Sequence, residues 1–112
     1  MGGAIKVGES TEVAVVREVK EELGIDVAVK QFAFIVESEF TVVDTKEPVN
    51  FHNVKFHYIV EPMEETPKNM TEEGDALPCY WMEVDNLVNI DIVPDFLKIH
   101  LRNWSGTIEQ IR

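Results

Sequence analysis

Residues 3–25, with the sequence GAIKVGESTEVAVVREVKEELGI, decide the fold of this 112-residue chain. The spacing of apolar residues predicts a helix from about Thr11 to Leu23. Ser10 is a favourable N-cap for it. Gly24 is a favourable residue to end it, because glycine accepts the left-handed backbone conformation needed there. We therefore expect a glycine-containing loop followed directly by an amphipathic helix, and we call residues 3–25 the loop–helix segment.

Three glutamates, Glu18, Glu21 and Glu22, fall within one arc of about 100° on this helix. Glu18 lies three and four residues before the other two, so like charges are neighbours, at a cost of about 0.2–0.5 kcal/mol per pair. Glu21 and Glu22 also lie in the last turn, where the helix dipole disfavours negative charge. An exposed acidic face is the simplest explanation. A divalent cation held by carboxylate oxygens would reverse these penalties, so the pattern also fits a metal site.

The spacing of the charged residues and glycines narrows this choice. Gly3, five residues, Glu9, seven residues and the run REVKEELGI from Arg17 fit the pattern GX5EX7REUXEEXGU, where U is aliphatic. This pattern is the signature of the Nudix hydrolases, and the chain resembles that family at every fixed position. Seven fixed positions match by chance about once in 10⁸–10⁹ tries at average residue frequencies.

The resemblance, to MutT-like and ADP-ribose-pyrophosphatase-like members, implies an activity. Such a hydrolase uses Mg²⁺ or Mn²⁺ to cleave the diphosphate of a nucleoside diphosphate linked to another moiety, by attack of a metal-activated water on phosphorus. It also implies an α+β fold, an α/β/α sandwich in which the helix of the loop–helix segment packs on a mixed sheet. The element order independently favours such a sandwich.

The matching positions also carry implied roles. The metal ligands would be Glu18, Glu21, Glu22 and the backbone of Gly3. The catalytic set would be Glu18, Glu21, Arg17 and Glu9, in which Glu18 orients or deprotonates the attacking water and Glu9 pairs with Arg17 to hold the loop against the helix. The substrate-binding positions would be Gly2 and Gly3, together with Glu73, which lies outside the motif in the long loop, where some relatives place an extra acid that acts as base.

The start of the chain departs from the family pattern. Family members usually carry strands before this segment and a proline before the paired glycines, whereas here Met1 stands at that place. We therefore expect a shortened member of the family, in which the missing strands leave sheet edges exposed. We expect a homodimer, with strands exchanged between the copies, to cover these edges. A second hypothesis follows from the same departure, namely a metal- or nucleotide-binding module that does not turn over its ligand.

Composition limits the class of protein. A length of 112 residues with 45% hydrophobic content predicts one globular domain, residues 1–112. The net charge of −11 argues against a nucleic-acid polymer as partner. The sequence contains no apolar run long enough for a transmembrane helix and no signal peptide, and its one cysteine, Cys79, fits a reducing cytoplasm.

The remaining chain predicts strands, a long loop and a second helix. Its expected elements are strands within 26–43 and 51–61, a loop over 62–78, a short strand over 79–84 and a helix from Pro94 to about Arg102. The expected core face of the first helix is Val13, Val16, Val19 and Leu23.

Overall fold

The computed structural model describes residues 2–43, 46–63, 69–72, 75–91 and 94–112. In chain order the elements are α1 (Thr11–Leu23), β1 (Val27–Val42), β2 (Val49–Pro62), β3 (Asn69–Glu72), β4 (Asp75–Pro78), a 3₁₀-helix (Val84–Asn89), α2 (Leu97–His100) and β5 (Glu109–Ile111). The predicted bounds of the first helix are confirmed. No helix in these described ranges is long and apolar enough to cross a membrane.

The main sheet has the strand order β2-β1-β5. β1 pairs antiparallel with β2 over its whole length and parallel with the short β5 at Phe34–Val36. The sheet is therefore mixed, and the predicted α+β class is confirmed. β3 and β4 form a separate two-stranded sheet. The two irregularities in the β1–β2 register, near Lys30 and Ala33, place an extra residue on β1 each time.

The two faces of the main sheet carry different helices. Phe32 and Tyr58 are register partners on one face, where the Tyr58 hydroxyl hydrogen-bonds the Thr11 hydroxyl at the start of α1. Phe34 and His57 are register partners on the opposite face, because neighbouring residues of a strand point to opposite sides. The layers are therefore α1, sheet and the segment containing α2, which is the order expected from the sequence.

Phe96, which directly precedes α2, contacts the second face through edge-on ring contacts. The ring centroid of Phe96 lies 5.6 Å from that of Phe34 and 5.2 Å from that of His57. Phe34 is only 1% exposed. The segment leading into α2 is therefore held by aromatic packing on the middle of the sheet.

The core face of α1 differs from the prediction at Val13. Val19 is 3% exposed and Ala14 is 6% exposed, whereas Val13 is 57% exposed. Val13 and Val16 instead border an open cleft of about 460 Å³ between α1 and the start of β1. Its lining residues are Glu12, Val13, Val16, Arg17, Lys20, Asp26 and Val29. The helix thus buries a narrower stripe than its pattern of valines suggests.

The second half of the chain corrects three further predictions. Residues 62–78 were expected to be a loop, but they include β3 and β4, whose residues lack the apolar alternation that identifies strands in a sequence. Residues 79–84 form no strand, and Trp81 is 71% exposed. The last helix spans only Leu97–His100, shorter than predicted.

Candidate active site

Both ends of α1 are fixed by the residues that the sequence indicated. The Ser10 hydroxyl accepts a hydrogen bond from the backbone N–H of Val13 at 3.2 Å, which caps the N-terminus. At the other end Gly24 has φ +71°, and its N–H donates to the Lys20 carbonyl at 3.0 Å. These two caps set where the helix begins and ends, and the periodicity of the helix then places its glutamates on one face.

The loop before α1 is closed by hydrogen bonds around Glu9. The backbone N–H of Glu9 donates to the Lys6 carbonyl at 3.0 Å, and the backbone N–H of Lys6 donates to Glu9 Oε1 at 3.0 Å. Gly8 within this turn has φ +82°, a conformation that glycine adopts at no steric cost. The loop therefore presents the Glu9 carboxylate towards the helix.

Arg17 on α1 binds that carboxylate with two parallel hydrogen bonds. Its Nε donates to Glu9 Oε2 at 2.7 Å, and its terminal NH2 nitrogen donates to Glu9 Oε1 at 2.9 Å. The exposed fractions of the two side chains are 19% for Arg17 and 11% for Glu9. The pairing expected from the sequence is therefore present, in the two-pronged geometry that only arginine provides.

The same guanidinium reaches two of the helix glutamates and the loop backbone. Its NH1 nitrogen donates to Glu18 Oε1 at 2.7 Å and to Glu21 Oε2 at 3.3 Å. Its NH2 nitrogen also donates to the Ala4 carbonyl at 3.0 Å. Arg17 thus joins the loop to the helix and shares its positive charge among three carboxylates.

These contacts change the acidity of the groups that make them. The Arg17 side chain, together with the Lys6 backbone N–H, lowers the pKa of Glu9 to about 2. In return, its hydrogen bonds to Glu9 and Glu18 raise the pKa of Arg17 above its ordinary value. The Glu9–Arg17 pair is therefore fully charged across the physiological pH range.

Gly3 lies directly against the carboxylate of Glu18. A Cβ atom added to Gly3 would overlap the Cδ and both oxygens of that carboxylate, whereas a Cβ added to Gly2 would meet no atom within 4 Å. Only glycine therefore permits this approach of the loop backbone to Glu18. The carboxylate oxygens of Glu18 and the backbone of Gly3 therefore lie side by side at this point of the molecule.

The remaining predicted site residues are Glu22, Gly2 and Glu73. Glu22 is half-buried on α1, and its Oε2 atom is shielded from solvent. Gly2 is exposed. Glu73 lies outside the described residues, so its predicted role in substrate binding stays a prediction.

The site also uses two backbone groups that the sequence did not reveal. They are the Ala4 carbonyl, which accepts from Arg17, and the Lys6 N–H, which donates to Glu9. Neither role depends on the side chain, so no residue type at positions 4 or 6 could signal it.

The contacts of Arg17 with Glu9, Glu18 and Glu21, together with Gly3 against Glu18, form what we call the loop–helix joint. The joint lies beside a mixed sheet with helices on both faces, as in an α+β protein of the Nudix type. The family described as the NUDIX domain matches residues 1–103, and the chain belongs to that family. Its members are in general pyrophosphohydrolases that act on small nucleotides with the help of divalent metal ions. A search of curated proteins found no match.

The residues at this joint fit a divalent cation in their donor chemistry. Within the part of the chain that the structure describes, no three Asp, Glu, His or Cys side chains converge as a metal cluster. The NH1 nitrogen of Arg17 contacts both Glu18 and Glu21, so these two carboxylates are paired with the guanidinium in this arrangement. Yet Mg²⁺ prefers carboxylate and carbonyl oxygens, and Glu18 already lies against the Gly3 backbone in a space that no Cβ could share. Glu21 is 53% exposed, and its Oε2 accepts the longest of the Arg17 hydrogen bonds, at 3.3 Å.

Proposed function

We propose that this chain is a Mg²⁺- or Mn²⁺-dependent hydrolase that cleaves the diphosphate of a nucleoside diphosphate linked to another moiety. The observation that carries the proposal is the joint at which Arg17 holds Glu9, Glu18 and Glu21 together while Gly3 lies against Glu18. Family membership supplies the general reaction class. The proposal treats residues 1–112 as one domain acting in the cytoplasm on a small-molecule substrate.

In this proposal Glu18, Glu21, Glu22 and the Gly3 backbone hold the metal. When bound, the metal supplies positive charge for the diphosphate oxygens and lowers the pKa of a coordinated water. Glu18 orients the attacking water or accepts its proton, since its Oε1 is fixed by a 2.7 Å hydrogen bond from Arg17. Phosphoryl transfer needs little covalent help from a protein, so such positioning supplies most of the catalysis.

Glu9 and Arg17 act as positioning residues in this scheme. Their two-pronged contact holds the loop that carries Gly3 at a fixed distance from the helix that carries Glu18. Gly2, next to Gly3, is open to the approach of a phosphate group because nothing lies within 4 Å of its Cβ position. Glu73 remains a second proposed substrate contact.

An alternative function is a metal- or nucleotide-binding module without turnover. It is favoured by the absence of a converged cluster among the described carboxylates, since Arg17 already occupies the space between Glu18 and Glu21. In that case the glutamates would bind a cation, but the site would lack the geometry for hydrolysis.

One experiment separates the two functions. The 112-residue chain is incubated with Mg²⁺ and a panel of dinucleoside polyphosphates, nucleoside triphosphates and ADP-ribose, and release of phosphate or pyrophosphate is followed. Glu21→Gln and Glu22→Gln should each lower the turnover at least about 100-fold, the upper end for groups that merely support a metal ligand. Glu12→Gln is the matched control, because Glu12 is an exposed acid in the first turn of the same helix.

The outcomes are distinct. Turnover that is lost in the two variants and kept in Glu12→Gln supports the hydrolase. No turnover by the wild type, together with Mg²⁺ binding in calorimetry that Glu21→Gln weakens, supports the binding module instead. Turnover that survives both substitutions contradicts the assigned metal ligands.

A further inference from the structure

The hydroxyl of Tyr58 on β2 forms a hydrogen bond with the hydroxyl of Thr11, the first residue of α1. The two residues are 47 positions apart in the chain, and their contact is partly buried. Thr11 follows the N-cap Ser10 and lies directly after the loop in which Glu9 binds Arg17. The bond therefore fastens α1 to the main sheet beside the loop–helix joint.

Aromatic packing holds the ring of Tyr58 in place. The ring stacks on that of Phe32, its register partner on β1, with the two centroids 4.7 Å apart and the planes inclined by 30°. The ring of Phe56, also on β2, lies 5.8 Å from that of Phe32. Since neighbouring rings restrict the orientation of Tyr58, its hydroxyl is presented to the helix at a fixed position.

Thr11 lies on the same side of α1 as two of the proposed metal ligands. Glu18 and Glu22 follow Thr11 by seven and eleven residues, which at 100° per residue places all three within an arc of about 40°. The buried residues Ala14 and Val19, which are 6% and 3% exposed, flank this arc, so the arc faces the interior. A contact that holds Thr11 therefore also sets the direction of the two carboxylates.

Glu18 is the residue at which a rotation of α1 would matter most. Its carboxylate lies against Gly3 in a space that no Cβ could share, and it accepts a hydrogen bond from Arg17 at 2.7 Å. Its side chain is only 15% exposed, so it has little room to compensate for a movement of the helix. The bond between Tyr58 and Thr11 supplies a fixed point about two helical turns, or about 10 Å, before Glu18.

We propose that Tyr58 is a positioning residue of the candidate active site, which acts through Thr11 to hold α1 in the rotation that keeps Glu18 against Gly3. This role rests on the proposed hydrolase function. Tyr58 need not touch the substrate or the metal, because its hydroxyl is engaged by Thr11. Neither Tyr58 nor Thr11 is a fixed position of the sequence pattern over residues 3–25.

Steady-state kinetics on the best substrate of the panel test this role. Tyr58→Phe removes only the hydroxyl and keeps the stacked ring, and Thr11→Val likewise replaces a hydroxyl by a methyl group. Each should lower kcat about tenfold and leave KM unchanged, as expected for a group that orients a metal ligand in the transition state. Tyr80→Phe and Thr41→Val are the matched controls. Tyr80 is 81% exposed, and the hydroxyl of Thr41 donates to Asn50 near the far end of the hairpin.

Two further variants show whether the two hydroxyls act as a pair. Thr11→Ser keeps a hydroxyl at the same place and should retain most of the turnover. The double variant Tyr58→Phe/Thr11→Val should be no slower than either single variant, because the second substitution removes a bond that is already lost. A loss of about 100-fold, the product of the two single effects, would mean that the side chains act separately.

Hydrogen exchange of the metal-free chain gives a readout that needs no turnover. The backbone N–H of Ala14 donates to the Ser10 carbonyl at 2.9 Å in the first turn of α1, and that of Gly24 donates to the Lys20 carbonyl at 3.0 Å at the end. Tyr58→Phe should speed the exchange of Ala14 about fivefold, the factor for one lost hydrogen bond, and leave Gly24 unchanged. Equal acceleration at both amides would indicate a general loss of stability.

The outcomes separate this role from the proposed function. A wild type that hydrolyses nothing in the panel overturns both. An active wild type whose Tyr58→Phe variant keeps its full kcat overturns the positioning role alone, and so do additive losses or equal acceleration of exchange at Ala14 and Gly24. A lower kcat at constant KM that Thr11→Ser avoids, with faster exchange at Ala14 only, supports the role.

Discussion

Arg17 shows how much of this site depends on one side chain. Its Nε, NH1 and NH2 nitrogens contact three carboxylates and one backbone carbonyl, all within 3.3 Å. Lysine carries the same charge but concentrates it on one nitrogen and cannot form two parallel bonds to Glu9. The geometry of the guanidinium, and not only its charge, therefore joins the loop to α1.

Gly3→Ala should impair activity while leaving the chain folded. The new Cβ would overlap the Glu18 carboxylate, so either the loop or Glu18 must move. A displacement of about 1 Å at a reacting group costs on the order of 100-fold in rate. Turnover of the best substrate of the panel would be measured, with Gly2→Ala as control because its Cβ meets nothing within 4 Å. Equal losses in both variants would contradict a specific role for Gly3.

The low pKa of Glu9 predicts an acid-dependent part of the stability. Since the pKa of Glu9 is lowered from 4.5 to about 2 in the folded chain, the carboxylate favours folding above pH 4.5, and this contribution is lost as the pH falls through about 2. Urea unfolding of the wild type and of Glu9→Gln should therefore differ most above pH 4.5 and converge towards pH 2. A difference independent of pH would show that Glu9 acts through packing alone.

Among the helices and strands, the sequence predicted the ones whose residues show capping, periodicity or strand-forming composition. α1 has a capping serine, a terminal glycine and apolar periodicity, and its bounds agree with the structure. The β1–β2 hairpin is rich in β-branched and aromatic residues, and both strands were expected. The residues of β3 and β4 carry no such pattern. The three residues of β5 pair with β1, and nothing in their local sequence predicts this pairing.

The candidate site divides in the same way. The family resemblance implied that Glu9 and Arg17 pair, and the structure shows this contact, whereas the contact of Arg17 with Glu18 was not predicted. The contribution of the Ala4 carbonyl could not be predicted, since backbone groups are common to all residues. The exposure of Val13 could not be predicted from the sequence of α1 alone, because it depends on which other elements pack against that side of the helix.

The packing of α2 on the sheet should weaken in mild acid because of His57. Its Nε2 is buried and has no hydrogen-bond partner among the described residues, and burial, with Lys55 nearby, lowers the pKa of His57 below 6.5. The unfolded chain then binds a proton more readily than the folded one, so the free energy of unfolding should fall as the pH drops below about 6.5.

Urea unfolding between pH 7.5 and pH 5.5 would measure this slope. His57→Phe keeps an aromatic ring against Phe96 and should reduce the slope. His100→Gln is the control, because it removes an exposed histidine and leaves the buried ring of His57 in place. An unchanged slope in His57→Phe would contradict the assignment.

At the scale of the whole molecule, a small core is combined with a large excess of negative charge. The buried apolar residues of the described chain are Ala14, Val19, Val27, Ala33, Phe34 and Leu87. Large apolar side chains such as Phe40 and Phe51, stacked with their centroids 5.1 Å apart near the end of the hairpin, remain 46% and 44% exposed. Only a small buried apolar core is therefore available to offset the mutual repulsion of the charges within a chain of net charge −11.

Sodium chloride should consequently stabilise this protein at neutral pH. Raising its concentration from ~10 mM to ~500 mM shortens the Debye length from about 30 Å to about 4 Å and screens the repulsion. We expect a gain of about 1 kcal/mol, or a rise of ~4–8 °C in Tm. The control is the same titration near pH 4.6, the isoelectric point, where the gain should disappear. A gain of equal size at both pH values would argue against repulsion as its cause.

The two-pronged contact between Arg17 and Glu9 also bears on how this segment can evolve. The contact requires the loop to return to the helix after a fixed number of residues, since its hydrogen bonds are only 2.7 and 2.9 Å long. Residues between the two can change identity, as exposed Glu12 and Val13 illustrate. Inserting or deleting even one of them would rotate Arg17 about 100° around the helix axis and away from Glu9. Selection on this segment therefore acts on its length more strictly than on its composition.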